Sequence, residues 1–157
     1  MCRKDREITN RTELTCILKH ECVARLALLN GEWPYTIHLN YALVEDGNDL
    51  YLYLHGTREV KKLELIRRQN PLASFEVGSH SAPLPPTSGF VCNWSMNYES
   101  VCGNGLIELL DTEDTHIAMD EFMHAYGLEQ PEYGPTIAKT TLYRLHVQHI
   151  SSKHRND

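Results

Sequence analysis

The residues best suited to chemistry in this sequence are a histidine that ends an apolar strand pattern and two lysines shortly after it. His55 is followed by Thr57, where a helix is predicted to begin, and Lys61 and Lys62 fall in the first turn of that helix. A hydroxyl, free helix N–H groups and ammonium groups can together bind a phosphate-like dianion. Cations oppose the helix dipole at this end, so a nearby anion would account for them. Taken alone, the pattern still favours solvated lysines and an ordinary hydrogen-bonded histidine.

Further polar candidates lie on two other predicted strands. His38 and Asn40 share the polar face of the second strand, where they either line a ligand slot or simply face water. Tyr98 and Ser100 lie on a long fifth strand, and cross-strand pairing is the alternative role for them. Residue types alone leave both alternatives open.

The cysteines and histidines do not show the spacing of a metal site. The five cysteines form no C-x-x-C pair, and the nine histidines form no H-x-x-x-H or H-E-x-x-H arrangement. His146 and His149 are three apart in a predicted strand, so we expect them to face opposite sides. We therefore predict no dedicated metal site and free thiols in a reducing compartment.

Length and charge restrict the class of protein. A chain of 157 residues has the usual size of one domain, here with a short N-terminal arm and a tail that frays from about residue 151. The net charge of −6 argues against nucleic acid as a partner. The charged opening residues do not resemble a signal peptide, and no apolar run reaches the roughly 20 residues that span a bilayer. A cytoplasmic protein without a membrane or nucleic-acid partner is expected.

Local signals predict antiparallel strands with helices at the corners. Asn10 and Glu13 form a capping box for a helix from Thr12 to about Glu21. The apolar run Cys22–Leu29 is typical of a strand covered on both faces, and Asn30-Gly31 marks a hairpin. The other predicted strands are Pro34–Val44, Leu50–His55, Leu72–Val77, Phe90–Leu110 and Thr141–Ile150, and the other helices start at caps Thr57 and Thr112 and end near Gln69 and at Gly127.

Two glycine-containing stretches interrupt this pattern. Gly78–Gly89 contains three prolines and is predicted to be a loop. Gly103 and Gly105 predict a bulge or sharp bend in the long fifth strand. About six antiparallel strands with helices at the corners indicate a barrel-like α+β domain that is mainly β.

Five stretches of the sequence, read in order, match the signature segments of a known family. They are Arg3-Lys4-Asp5-Arg6-Glu7-Ile8, Arg25-Leu26-Ala27-Leu28 with Pro34–Asn40, Leu52–Leu63, Tyr98-Glu99-Ser100-Val101-Cys102-Gly103 and Ile150-Ser151-Ser152-Lys153. The series resembles the nitroimidazole-resistance branch of the pyridoxamine 5′-phosphate oxidase-like split barrels and covers nearly the whole chain. Val60 and Ser152 stand where that branch has glycine.

This resemblance implies a six-stranded antiparallel split β-barrel with flanking helices, forming a homodimer that binds FMN at the subunit interface. It places His55 against the flavin ring as the catalytic candidate, with Tyr98 and Ser100 contributed by the second subunit. The implied cofactor-binding residues are His38, Leu39, Asn40, His55, Thr57, Lys61, Lys62, Tyr98 and Ser100. The implied function is an FMN-dependent oxidoreductase that uses a reduced nicotinamide donor and a small organic acceptor, with nitro-aromatic compounds among the acceptors.

Two other functions remain open at this point. Related split barrels hold haem, for which His55, His146, His149 or His154 is a possible axial ligand. Alternatively, the chain is a non-catalytic dimer that binds a small ligand, since Val60 places a β-branched side chain beside the implied phosphate site.

Overall fold

Seven antiparallel strands and three helices make up the computed structural model, which describes residues 4–57, 60–68, 71–86, 94–129 and 133–155. The strands are β1 (Glu7–Ile8), β2 (Val23–Leu28), β3 (Tyr35–Asp46), β4 (Asp49–Thr57), β5 (Leu72–Leu84), β6 (Ser95–Leu109) and β7 (Thr140–Arg155). The helices are α1 (Arg11–His20), α2 (Val60–Ile66) and α3 (Thr112–Ala125). None of the helices in the described ranges is long and apolar enough to cross a membrane.

Six of these strands close into a barrel. Their order is β7-β4-β3-β2-β5-β6, and β6 pairs again with β7, while β1 is added outside the barrel along β7. Closure pairs the edges that an open sheet would leave exposed. The predicted fold class, a mainly β six-stranded antiparallel barrel with flanking helices, is confirmed.

The barrel interior is built from alternating apolar side chains. In β3, Leu39, Tyr41 and Leu43 are buried, whereas His38 and Asn40 are exposed, so the predicted separation of faces is confirmed. The same alternation runs through β4, β5, β6 and β7 and produces one large apolar cluster.

The prediction that β2 is covered on both faces is wrong for this chain. Ala24 and Leu26 are fully buried, but Val23 and Arg25 on the other face are exposed. The Arg25 guanidinium pairs with the Glu76 carboxylate on β5 at 2.7 Å, so the outer face here is polar. The continuous apolar run in β2 therefore does not mean that another layer of the protein covers its outer face.

Helix α1 begins, and helix α3 ends, where the sequence predicts. The Asn10 side chain accepts the N–H groups of Thr12 and Glu13 at 2.8 and 3.3 Å, which confirms it as the N-cap of α1. Gly127 adopts φ +80° immediately after α3, as a helix-ending glycine does. Helix α3 packs on the outside of the barrel and forms a second apolar cluster of Ala42, Leu110, Ala118, Met119, Phe122 and Leu142.

Strand β5 is longer than predicted. Residues 78–84, part of the predicted loop, pair with β6 from Gly78 opposite Ser100 to Leu84 opposite Ser95. The ladder is irregular between His80 and Pro83, which accommodates the proline that cannot donate to it. Residues 87–93, including the start of the predicted fifth strand, lie outside the described residues.

The predicted bulge is confirmed at Gly105. The register of β6 against β7 shifts between Asn104 and Gly105. As a result Val147 and Ile150, three positions apart, both pack against the core. The expectation that His146 and His149 face opposite sides is therefore wrong, because the bulge shifts the alternation between them.

The predicted frayed tail is also wrong. Strand β7 continues to Arg155, and Ser152 pairs with Val101 of β6 and with Ile8 of β1. Ser152 is 1% exposed, and its hydroxyl donates to the Ile8 carbonyl at 3.0 Å. Pairing on two sides thus orders a polar segment that has no local signal for a strand.

We predict that Ser152→Ala destabilises the protein by roughly 1–3 kcal/mol, because it leaves the buried Ile8 carbonyl without its donor. Ser151→Ala is the matched control, since Ser151 is the exposed neighbour on the same strand, and it should change stability by less than about 0.5 kcal/mol. Urea denaturation of both variants measures the difference. Equal effects would contradict a structural role for the Ser152 hydroxyl.

Candidate functional site

The barrel opens where β3 and β4 part. Their ladder extends from Asp46 opposite Asp49 to Tyr41 opposite Leu54. Before Tyr41, β3 stays paired with β2, and after Leu54, β4 stays paired with β7. The strand divergence therefore brings Asn40 and His55 to the same edge.

His55 lies half-buried on the outer face of β4 at this divergence. Its ring centroid is 4.7 Å from that of Phe122 in α3. Burial lowers the pKa of His55 below its usual value, and the charge of Lys62 lowers it further, whereas a hydrogen bond to the Asn40 backbone acts in the opposite direction. His55 is thus neutral at pH 7, and among the described residues its buried Nδ1 has no hydrogen-bond partner.

The two candidate lysines have different environments. Lys61 is exposed, whereas Lys62 is 3% exposed and its Nζ lies 5.3 Å from the centroid of the Tyr143 ring. A Cβ added to Gly56 would lie 2.8 Å from the Lys62 Nζ and 3.3 Å from a Leu39 methyl group. The solvated alternative is therefore excluded for Lys62, whose ammonium occupies the end of the barrel interior.

Gly56 is a site residue that the sequence analysis missed. It lies between His55 and Thr57, and the absence of a side chain leaves the space that the Lys62 ammonium fills. A glycine in an apolar strand often marks a place where another group comes close to the backbone. This was the signal in the sequence that could have identified Gly56.

The predicted helix cap, Thr57, is the last residue of β4, where it is exposed and pairs with Thr140 of β7. Residues 58–59 lie outside the described residues, and α2 is described from Val60, so the cap stays a prediction. Pairing with β7 extends β4 by two residues beyond its predicted end. Helix α2 is also shorter than predicted and ends at Ile66.

Tyr98 and Ser100 lie far from His55 in the same chain. Ser100 pairs with Lys153 near one end of β7, whereas His55 pairs with Leu142 near the other end, roughly 35 Å away along the strand. Tyr98 contacts cations instead: the Arg6 guanidinium donates to its hydroxyl at 3.4 Å, and the Lys153 ammonium lies 5.4 Å from its ring centroid. One chain therefore brings together His38, Leu39, Asn40, His55 and Lys62, but not Tyr98 and Ser100.

Two of the other candidate histidines, His146 and His154, have partners of their own. His146 contacts the Asp49 carboxylate at 3.2 Å and stacks on Tyr51, and His154 pairs with Glu13 at 3.3 Å. Within the described ranges, no three His, Cys, Asp or Glu side chains are grouped as metal ligands. His55 thus differs from His146 and His154 in having an unpartnered ring nitrogen.

A closed six-stranded barrel, with polar residues gathered where two strands part, defines a split-barrel protein. The chain belongs to the pyridoxamine 5′-phosphate oxidase family, whose family model matches residues 10–154. The family resemblance seen in the sequence is thereby confirmed. None of the curated proteins compared with the chain matches it.

Several solved structures share this fold. A candidate 5-nitroimidazole antibiotic resistance protein from Bacteroides thetaiotaomicron is 23% identical over 94% of this chain and 85% of its own, with a TM-score of 0.74. An FAD- and haem-binding protein from Mycobacterium smegmatis is 18% identical over 97% and 74%, with a TM-score of 0.78. An FAD-binding protein from Mesorhizobium loti is 22% identical over 96% and 98%, with a TM-score of 0.68.

We predict that Gly56→Ala displaces the Lys62 ammonium from the barrel end, because the new Cβ would overlap with it. Reductive methylation followed by mass spectrometry measures this directly. In the unmodified sequence Lys62 should react much more slowly than the exposed Lys61, and in Gly56→Ala the two rates should become similar.

Gly134→Ala is the control for this substitution, since a Cβ at Gly134 meets no atom within 4 Å and its φ is −74°. It should leave the Lys62 reaction rate unchanged. If Lys62 still reacts slowly in the folded Gly56→Ala variant, the space at Gly56 does not determine the position of its ammonium group.

Proposed function

We propose that this protein binds a flavin, FMN, at the divergence of β3 and β4 and works as an oxidoreductase. It would transfer electrons between a reduced nicotinamide donor and a small organic acceptor. The observation that carries the proposal is His55, which is neutral, half-buried and has a free ring nitrogen at the split of the barrel. Membership of the pyridoxamine 5′-phosphate oxidase family, and the FAD-binding proteins among the similar structures, support a flavin as the cofactor class.

The residues at the divergence fit a flavin. His55 has a buried Nδ1 without a hydrogen-bond partner among the described residues, which a turn of the ring would expose to a polar edge of the flavin, and the exposed His38 and Asn40 line the adjacent face of β3. Lys62 supplies positive charge from inside the barrel, and Lys61 supplies it from the exposed side of α2. When bound, the flavin provides the redox chemistry, while these residues bind it, orient it and limit the access of water.

Nitro-aromatic compounds of the nitroimidazole type are the acceptor class that we propose. The support is the fold shared with the candidate 5-nitroimidazole antibiotic resistance protein of Bacteroides thetaiotaomicron, together with the sequence segments of that branch.

Cytoplasmic location and a single domain complete the proposal, and the free, exposed Cys16, Cys22 and Cys102 suit a reducing compartment.

The absorption spectrum of the purified protein tests the cofactor. Flavin bands, or their appearance after reconstitution with FMN and removal of excess ligand, are expected. A Soret band would assign the site to haem, with His55 as the axial candidate. A protein that shows neither, and does not retain FMN, would be a non-catalytic binder and would overturn the proposal.

A histidine substitution locates the flavin. His55→Gln should shift the bound flavin's spectrum or reduction potential while the protein stays folded, because it replaces an imidazole next to the ring. His20→Gln is the control, since His20 is exposed on α1. If the flavin spectrum of His55→Gln is the same as that of His20→Gln, His55 does not contact the flavin.

We also propose a homodimer with the flavin at the subunit interface. Tyr98 and Ser100 cannot reach His55 within one chain, so a second copy is needed if they contact the same flavin. Exposed apolar side chains, among them Leu29, Trp33 and Leu72, are available for such an interface. Sedimentation at micromolar concentration should give a dimer, for which an interface of more than about 2,000 Å² is usual, and a monomer would contradict it.

A further inference from the structure

A second cavity lies beside the divergence of β3 and β4, since its lining includes Leu142 and Thr141, which pair with His55 and Gly56. It has a volume of about 590 Å³ and is lined by α2, the first half of α3, the end of β6 and the start of β7. Neither His55 nor Lys62 is among its lining residues. Its size falls within the range of small-molecule sites in proteins.

Arg67 lines this cavity without a carboxylate partner in the described part of the chain. The neighbouring Arg68 pairs with Glu64 at 3.9 Å and donates to the Leu29 carbonyl, and it is not part of the lining. Other arginines are also paired with carboxylates: Arg6 with Asp5, Arg11 with Glu45, Arg25 with Glu76 and Arg144 with Glu108. Arg67 is exposed, so its guanidinium is accessible to an anionic ligand in the cavity.

Thr141 supplies a second, independent observation. It lines the cavity and is 8% exposed, and its hydroxyl has no hydrogen-bond partner among the described residues. A buried hydroxyl without a partner is unusual, because its desolvation is not compensated. The Thr141 Oγ1 is buried, so the side chain would have to rotate about the Cα–Cβ bond to donate to a molecule in the cavity.

The remaining walls restrict the kind of anion. Leu63, Leu109 and Ile137 provide apolar surface, and His116 provides a further polar group. Asp111 is the acidic residue of the described lining, and its negative charge disfavours a ligand with two negative charges. A single carboxylate attached to a hydrocarbon body fits this combination.

We propose that this cavity binds a small organic monocarboxylate with an apolar body. The Arg67 guanidinium pairs with the carboxylate, the Thr141 hydroxyl donates to it, and the leucine and isoleucine walls contact the hydrocarbon. The cavity adjoins the proposed flavin site through Thr141 and Leu142, but this proposal does not depend on a bound flavin.

Benzoate is the probe, titrated by calorimetry into the full-length protein as purified. We expect saturable binding that Arg67→Met weakens about tenfold or more, because the charge-assisted pair is lost while the aliphatic stem is kept. Arg68→Met is the matched control and should bind benzoate as the unmodified protein does. Absence of saturable binding up to about 10 mM, or equal weakening in both variants, would overturn the proposal.

Two further measurements test the hydroxyl and the class of ligand. Thr141→Val keeps the shape and removes the hydroxyl; it should leave the ligand-free protein equally stable and weaken benzoate binding several-fold. Benzamide and inorganic phosphate should both bind much more weakly than benzoate, since one lacks the charge and the other lacks the apolar body. Phosphate binding that matches benzoate, or competition between benzoate and FMN, would overturn a separate monocarboxylate site.

Discussion

The fold depends on one strand, β7, which pairs with β6 along most of its length and has a second neighbour on its other side at two places. Residues 140–146 also pair with β4, and residues 152–153 also pair with β1. A strand with these partners has to bend to follow the closed barrel, and the bend coincides with the register shift at Gly105. A side chain at Gly105 would place a Cβ 1.8 Å from the His146 carbonyl oxygen, so only glycine permits this approach.

The bend at Gly105 also determines how the polar groups are distributed. Because it shifts the alternation in β7, Leu145 before it and Ser152 after it both point into the barrel. The two halves of β7 then support different ends of the molecule, with His55 at one and Tyr98 at the other. The proposed homodimer would bring these two ends together if His55 and Tyr98 contact the same flavin, since one chain holds them apart.

Elements with local signals could be predicted from the sequence, whereas elements that depend on distant partners could not. The cap at Asn10 and the alternation in β3 are determined by residues that are close together in the sequence. The extension of β5 through Pro83 and the ordering of the tail after Ile150 arise from pairing with β6, which is remote in sequence. In the candidate site, the family segments include His55 and its neighbours, but the contrast between Lys61 and Lys62 depends on space at Gly56 that only the folded barrel defines.

Lys62 and His55 belong to one sequence pattern, but the burial of Lys62 gives the two side chains different electrostatic properties. Desolvating an ammonium group is costly, and the contact with the Tyr143 ring at the barrel end offsets part of that cost. The buried charge lowers the pKa of His55, so this histidine stays neutral beside it. In the proposed flavin site, Lys62 would supply positive charge to the divergence of β3 and β4, and His55 would supply a neutral ring nitrogen. An electron-accepting ring that gains negative charge on reduction would be stabilised by the first group and oriented by the second.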